Sequence, residues 1–272
     1  MRFLRSAVLG LGVALAGRAL LPVAGEGPGL VIQPSLIEVE RRPGERFERA
    51  ITLVNRGEEP LTVAARAADW AMSPEGEVRF LEPGGEPRSC ARWIEVEPAS
   101  LVVRPGEPAE VKVAVHFPAE ASGTRWAVVF FALPETAAPV EGRGKTVTAR
   151  VGLTVYATAE GTQREDLRLL ETSASAEASG ALLRAAFEDR GNTAVRFRLT
   201  WQIKSADGKF LRVYDTPSVV ALPGSRRLVT ERIEEELPPG SYVVTAMARW
   251  GARKWLARDC GLLIPPSAAP RR

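Results

Sequence analysis

A turn motif that occurs twice constrains the fold of this chain more than any other feature. One alternating apolar strand runs into Asn55-Arg56-Gly57 and another runs into Asp189-Arg190-Gly191, and a second alternating strand leaves each turn. Further along, each half has a Pro-Gly turn, at Pro105-Gly106 and at Pro223-Gly224. Because this order recurs at a spacing of about 120 residues, the repeat predicts two tandem all-β sandwiches of one type.

The limits of the two units follow from further signals along the chain. Gly123 and Gly240 each open an apolar strand, and the stretch from Ala157 to Glu165 is small and polar, as a linker would be. We predict one sandwich over residues 28–156, a second over residues 166–264, and a disordered tail over residues 265–272. Tandem sandwiches occur more often in binding or structural proteins than in enzymes, although the fold alone does not decide this.

The first 25 residues have the pattern of a secretory signal peptide. Arg2 and Arg5 form a charged start, and the apolar run from Ala7 to Gly17 ends at Arg18, which is too short to span a bilayer. The alternative is an uncleaved anchor over residues 7–24, which Arg18 would make costly. The prediction is a signal peptide over residues 1–25 and a secreted protein with no membrane span after its cleavage, which could follow Ala16 or Gly25.

The charge of the mature chain is close to neutral. Residues 1–25 contain three arginines and no acidic residue, so their removal leaves 33 of the 36 basic residues against 33 acidic ones. Binding to nucleic acid would need an excess of positive charge, so no nucleic-acid partner is predicted.

The two cysteines, Cys90 in the first half and Cys260 near the end of the second, leave two interpretations open. In an oxidising compartment they could form a disulfide between the two sandwiches. The alternative is a pair of half-buried free thiols.

Candidate residues for catalysis or metal binding are scarce. His116 is the only histidine, and a strand-end position is more typical of a surface residue than of a catalytic base. One histidine and two distant cysteines cannot form a structural zinc site, and the acidic run from Glu231 to Glu236 lacks the spacing of a calcium loop. We predict no enzyme activity, no catalytic residue, no metal and no cofactor.

The tryptophans allow a second binding hypothesis. Trp126 and Trp201 lie in strongly apolar strands and are predicted to be core residues. Trp250 and Trp255 flank the segment 251–254 and are expected to be partly exposed, which leaves a sugar site there as an alternative to packing.

The last strand predicted in the first sandwich alternates without interruption. Its apolar members occupy every second position, and the residues between them form a polar face that includes Arg150 and Thr154. Either this apolar face is buried in its own sandwich, or it is offered to another polypeptide. The apolar members are Val147, Ala149, Val151, Leu153 and Val155.

Several segments of the first half together resemble PapD-like periplasmic pilus-assembly chaperones. They are an N-terminal strand broken by Pro34, the segments 51–55, 93–98 and 101–107, the apolar strand 126–134, a long loop, and the strand 147–156. The resemblance covers about residues 30–156 and implies two immunoglobulin-like β-sandwiches after the signal peptide. The second half is similar only in its general strand pattern.

The resemblance implies binding by strand donation, in which the last strand of the first domain fills the open groove of a pilin-like client. It assigns Val147, Ala149, Val151, Leu153 and Val155 to that role. The family holds the terminal carboxylate of its client with an arginine and a lysine, but the matching positions here are Ser35 and Thr154. Arg150, on the same face as Thr154, is the candidate for that carboxylate contact.

The sequence therefore predicts a non-catalytic, periplasmic, chaperone-like protein whose partner is a secreted or surface polypeptide of the pilin type. The alternative is a structural or adhesive module of the cell envelope that does not assist the folding of a client.

Overall fold

The computed structural model describes residues 29–133 and 150–266. The predicted signal peptide, most of the predicted tail, and two of the predicted donor residues, Val147 and Ala149, lie outside these ranges.

Within the described ranges the chain forms eighteen β-strands and one turn of 3-10 helix, Ala91–Trp93. No helix in this part of the chain has the length and apolarity needed to cross a membrane. The strands are β1 (Leu30–Gln33), β2 (Leu36–Arg41), β3 (Arg46–Asn55), β4 (Leu61–Met72), β5 (Val78–Leu81), β6 (Ile94–Glu97), β7 (Ser100–Val103), β8 (Pro108–His116), β9 (Gly123–Ala132), β10 (Arg150–Ala159), β11 (Leu167–Glu177), β12 (Gly180–Asp189), β13 (Val195–Ser205), β14 (Phe210–Asp215), β15 (Val219–Ala221), β16 (Arg226–Ile233), β17 (Gly240–Trp250) and β18 (Lys254–Ile264).

The first ten strands form a sandwich of two sheets. One sheet has the order β1-β3-β8-β6, and the other has the order β2-β10-β9-β4-β5 with β7 also paired to β4. Alternate residues of the strands point into a single core, in which Ile51, Val113 and Phe131 are fully buried. Burial of such a core, at roughly 25 cal/mol per Å² of apolar surface, is what holds the two sheets face to face.

Pro34 divides the N-terminal strand between the two sheets, as the sequence predicted. Because proline has no N–H to contribute to a ladder, the chain leaves one sheet at this point and enters the other. Before it, β1 pairs antiparallel with β3, and after it, β2 pairs parallel with β10. The parallel pairing covers residues 154–159 of β10, and no described strand pairs with residues 150–153 on that edge.

The last eight strands form a second sandwich with a closely related topology. Its sheets have the orders β11-β12-β16 and β14-β13-β17-β18, with β15 also paired to β13. A separate core fills the space between them, and Phe187, Phe197 and Trp201 are among its fully buried side chains. The predicted fold class, two tandem immunoglobulin-like sandwiches, is confirmed.

The repeated turn has the same hydrogen bonds in both copies. Asn55 and Asp189 are fully buried, and the side-chain Oδ1 of each accepts a bond from the N–H two residues later, at 2.9 Å and 2.8 Å. The backbone carbonyl of each also accepts a bond of 2.8 Å, from the N–H of Gly106 in the first copy and of Gly224 in the second. In each sandwich, this hydrogen bond joins the turn after β3 or β12 to the later Pro-Gly turn. The two turn signals recognised in the sequence are therefore in contact with each other in both sandwiches.

Of the two interpretations left open for Cys90 and Cys260, the structure has the free thiols and not the disulfide between the sandwiches. Both thiols are free. Cys90 is fully buried in the first core, whereas Cys260 is half-buried beside the second core, so each belongs to a different sandwich interior. Burial raises the pKa of the Cys90 thiol far above its usual range, which keeps it protonated and unreactive.

Candidate functional site

A cleft of about 990 Å³ lies between the two sandwiches. One wall is the outer face of the first sandwich's β10-β9-β4-β5 sheet, and the other is formed by residues 216–220 and 227–231 of the second sandwich. Its volume is at the upper end of the range typical of ligand pockets. Clefts between domains are a common position for binding sites because two surfaces converge there without filling the space.

Three groups of contacts hold the walls in place. At one end, the Thr124 N–H donates to the Asn192 carbonyl at 2.8 Å, and the Ala194 N–H donates to Thr124 Oγ1 at 3.0 Å. Beside them, Arg196 of the second sandwich pairs with Glu38 of the first, with an Nε to Oε1 distance of 2.9 Å.

At the other end, the turn between β4 and β5 reaches across to β16. The Pro74 carbonyl accepts bonds from the Leu228 N–H at 2.6 Å and from Arg227 Nη1 at 2.7 Å. Burial lowers the pKa of Arg227. Its guanidinium donates hydrogen bonds to the Pro74 carbonyl and to the Leu228 carbonyl. Arg227 therefore forms part of the cleft wall and does not present its charge to a ligand.

The floor of the cleft is aromatic. Trp70 lies edge-on to Tyr156 with ring centroids 6.0 Å apart, and Phe80 lies edge-on to Phe130 at 4.8 Å. Burial raises the pKa of Tyr156 to about 12, so its hydroxyl stays neutral. The strand around Phe130, which is apolar at nearly every position in the sequence, has both of its faces used. One face packs in the core, and the other forms this floor.

Arg150 lies over the aromatic floor at the first described residue of β10. Its guanidinium carbon is 4.2 Å from the ring centroid of Phe130 and 5.4 Å from that of Phe80. A stacked guanidinium is oriented by the ring faces and keeps its N–H groups in the plane free to donate. Arg150 makes no ion pair with any described residue and lines the cleft, so its geometry suits the binding of a carboxylate.

The edge of β10 beside the cleft has unpaired backbone groups. The Thr154 N–H donates to the Ser35 carbonyl at 3.0 Å, so this N–H points to the β2 side of the strand. Because backbone groups alternate sides along a strand, those of Gly152 and Arg150 point the same way, beyond the start of β2 at Leu36. A free strand edge of this kind is a template for pairing with another extended chain.

Gly152 keeps this part of the cleft open. A Cβ at this position would stand 3.1 Å from a methyl carbon of Val128 and 3.6 Å from the ring of Phe130. A larger side chain would therefore fill the space between the free edge and the aromatic floor.

None of the three described residues of the predicted donor set, Val151, Leu153 and Val155, lines the cleft. Leu153 and Val155 are fully buried in the core of their own sandwich, and Val151 is half-buried against it. The polar face of the strand, with Arg150, Gly152 and Thr154, lines the cleft instead. The alternation was recognised in the sequence, but the side that meets the core is decided by the neighbouring strand β9.

The other candidate residues are distributed over the surface. His116 Nε2 is 3.1 Å from Glu95 Oε2, and both side chains are about half exposed. No group of three metal-ligating side chains is present in residues 29–133 and 150–266. Trp126 and Trp201 are buried, whereas Trp255 is 64% exposed on the second sandwich.

Sequence reasoning missed the cleft itself. Trp70, Phe80 and Tyr156 were present in alternating strands, but nothing in those strands indicated that a second sandwich would face them. These aromatic residues could have been recognised as one surface from the apolar outer face that β4, β5 and β9 share once the strands are paired.

No family model matches the chain, and no curated protein matches its sequence. Among solved structures, it is similar to a chain of the chaperone–tip adhesin complex of CFA/I fimbriae, with a TM-score of 0.47, 10% identity, and coverage of 85% of this chain and 97% of that chain. It is also similar to the class 5 fimbriae chaperone CfaA, with a TM-score of 0.46, 9% identity, and coverage of 85% and 98%. The chaperone CupB2 of Pseudomonas aeruginosa gives a TM-score of 0.43, 13% identity, and coverage of 85% and 100%.

The likeness to PapD-like fimbrial chaperones that the sequence motifs indicated is thus found again among solved structures. At TM-scores below 0.5 these likenesses carry no information on function. Among the described residues, a strand edge without a partner, an aromatic floor and an arginine without an ion pair lie at one cleft.

Proposed function

We propose that this protein is a non-catalytic, chaperone-like protein of the periplasm that binds an extended segment of a pilin-like polypeptide by strand addition. The observation that supports this most directly is that no described strand pairs with the β2-side edge of β10 at residues 150–153, while Arg150 and Gly152 of the same segment line the cleft.

The client strand would continue the sheet beyond the N-terminal end of β2. There it would pair with the outward-facing backbone groups of Arg150 and Gly152, which supplies affinity without regard to the client's sequence. Each such hydrogen bond contributes about 1 kcal/mol net. Apolar side chains of the client would lie on the aromatic floor formed by Phe130 and Phe80.

Arg150 would bind a carboxylate of the client, of which the chain terminus is the simplest. Its stacking on Phe130 and Phe80 fixes the guanidinium before binding, which lowers the entropy lost when the ion pair forms. Ser35 and Thr154 lie together, since the Thr154 N–H bonds the Ser35 carbonyl, but neither side chain carries a charge.

The donated side chains would come from the start of the strand. Val147 and Ala149 remain the proposed donors together with Val151, the least buried of the three described members of the set. Leu153 and Val155 would serve a client only if they left the core of their own sandwich, where both are now fully buried. We propose that these two position the strand.

The test is a substitution that removes one backbone donor from the free edge. Gly152→Pro deletes the N–H that points away from β9, so the bonds within the sheet remain, and proline is tolerated where the lost N–H faces solvent. Gly152→Ala is the matched control, because it adds a Cβ near Val128 but keeps the N–H.

The tagged chain and both variants would be isolated from the cell envelope of its source, and partners would be identified and quantified by mass spectrometry. We expect one stoichiometric β-rich polypeptide with the parent chain and with Gly152→Ala, and its loss with Gly152→Pro at an unchanged melting temperature. Equal recovery with both variants would refute binding at this edge. Recovery of the protein without a polypeptide partner would favour the alternative, a structural or adhesive envelope module.

A further inference from the structure

An exposed row of two arginines and a tryptophan crosses the outer face of the second sandwich. Arg198 on β13 stands directly opposite Arg249 on β17, and Arg249 stands directly opposite Trp255 on β18. All three side chains are exposed and point away from the core, because their strand neighbours Leu199, Ala248 and Leu256 pack into it. Two interstrand spacings place the ends of the row about 10 Å apart.

The positive charge of this row is not neutralised by the protein. Neither Arg198 nor Arg249, nor Arg253 in the adjoining turn, forms an ion pair in the part of the chain that the structure describes, whereas nearby Arg196 and Lys254 each have a carboxylate partner. Like charges directly opposite each other on neighbouring strands destabilise a sheet. An anion bound between Arg198 and Arg249 would remove this repulsion.

Two adjoining cavities give the row a concave shape. One of about 880 Å³ is lined by Arg198, Thr200, Asp215 and Ser218, and one of about 370 Å³ is lined by Arg253 and Trp255. Arg249 lines both cavities, so they form one groove around it.

The polar groups of the groove distinguish among anionic ligands. Thr200 Oγ1 donates to Asp215 Oδ1 at 2.6 Å, which fixes a carboxylate that can still accept hydrogen bonds from hydroxyl groups. Such a carboxylate repels phosphates and carboxylates alike, but it can accept hydrogen bonds from the hydroxyls of a ligand that carries both acid groups and hydroxyls, and a bare run of phosphates has no hydroxyls to offer. The exposed face of Trp255 suits the apolar face of a sugar ring.

We propose that this groove, formed by Arg198, Arg249, Arg253 and Trp255, binds an acidic polysaccharide, with the arginines on its carboxylates and the indole against a sugar ring. Arginine binds carboxylates with two parallel N–H groups, so each arginine contributes direction as well as charge. The groove shares residues 216–218 with the cleft wall but none of its own cations, so the two sites can be tested separately.

The test measures binding of the purified full-length chain to polygalacturonate by isothermal titration, with neutral dextran as the uncharged counterpart. We expect binding to polygalacturonate only. Arg249→Gln should weaken it about tenfold, since a hydrogen bond to a charged group contributes about 1.5 kcal/mol, and Trp255→Ala should weaken it about fivefold.

Arg184→Gln is the matched control. This arginine is exposed on β12, in the other sheet of the same sandwich, and the change removes the same charge. It should leave the affinity unchanged, and Trp255→Phe should retain most of it. Gly152→Pro should also leave it unchanged, which separates this site from the client edge.

Four outcomes would overturn the proposal. They are equal affinity for dextran, equal weakening by Arg184→Gln and Arg249→Gln, an absence of polygalacturonate binding, and stronger binding to phosphatidylglycerol vesicles, polyglutamate or a single-stranded oligonucleotide than to polygalacturonate.

Discussion

The buried carboxylate of Asp189 should make the second sandwich less stable at neutral pH than at acidic pH. Asp189 occupies the turn position that Asn55 occupies in the first sandwich, and both are fully buried. In the first sandwich, Asn55 Nδ2 donates to the carbonyls of Glu59 at 2.7 Å and Val103 at 3.1 Å. In the second, Asp189 Oδ2 is buried without a hydrogen-bond partner among the described residues.

This environment favours the protonated form of Asp189. Burial raises its pKa from 3.8 to about 6, although the hydrogen bond from the Gly191 N–H works in the opposite direction. The folded state therefore holds the proton more tightly than the unfolded chain. The stability that this proton contributes is fully present below pH 3.8 and is lost as the pH rises through about 6. At about 1.4 kcal/mol per pKa unit, the loss amounts to about 3 kcal/mol at pH 7.

Asp189→Asn should recover this free energy, because an amide is neutral at every pH and keeps the Oδ1 acceptor for Gly191. We expect the variant to exceed the parent chain in free energy of unfolding by about 2.4 kcal/mol more at pH 7 than at pH 4, because a small part of the loss is already present at pH 4. Urea titrations followed by tryptophan fluorescence at the two pH values would measure this difference. Groups shared by both proteins cancel in the comparison.

The reciprocal variant is the control. Asn55→Asp places a carboxylate where two donated bonds are now made, so it should destabilise the first sandwich, and more at pH 7 than at pH 4. An equal effect of Asp189→Asn at both pH values, or a loss of stability at pH 7, would refute the reasoning from the buried turn.

Three further predictions concern other parts of the molecule. Gly123→Ala should lower the free energy of unfolding by at least about 2 kcal/mol, because φ is +64° and the new Cβ would stand 2.1 Å from the Asn192 carbonyl oxygen. Gly106→Ala, with φ of +71° and no atom within 4 Å of the new Cβ, should lower it by only about 1 kcal/mol. Equal losses in the two variants would contradict this reasoning. Thiol titration should find two free thiols in the unreduced, denatured chain and no reaction of Cys90 in the native one, and a missing pair of thiols would restore the disulfide. Arg150→Ala should weaken binding of the isolated client about tenfold without lowering the melting temperature, and unchanged binding would remove Arg150 from the site.

Local patterns gave much of the fold correctly. Strand alternation, the paired Asx and Pro-Gly turns and the break at Pro34 each act within a few residues of their own position, so they can be recognised without knowing the neighbouring strands. The hydrogen bonds that the Asn55 and Asp189 carbonyls accept from the later glycines, by contrast, join residues far apart in the chain and are seen only in the structure.

The candidate site was only partly predictable. Arg150 could be assigned to the polar face of its strand because side chains alternate, and the structure places it in the cleft. The cysteine question could not be answered, because it depends on which core each thiol enters. Likewise, Leu153 and Val155 share a pattern with Val151 and all three pair with β9, so only the packing of the first core decides how deeply each is buried.

The sequence by itself determined two sandwiches of one type and their repeated turns, because periodicity and turn chemistry are local properties of the chain. The tertiary structure decided where the sandwiches meet, which edge of β10 stays unpaired, and that Arg198, Arg249 and Trp255 form a single row. These features depend on strand register and on contacts between residues far apart in the chain, such as Pro74 with Leu228, and no local pattern encodes them.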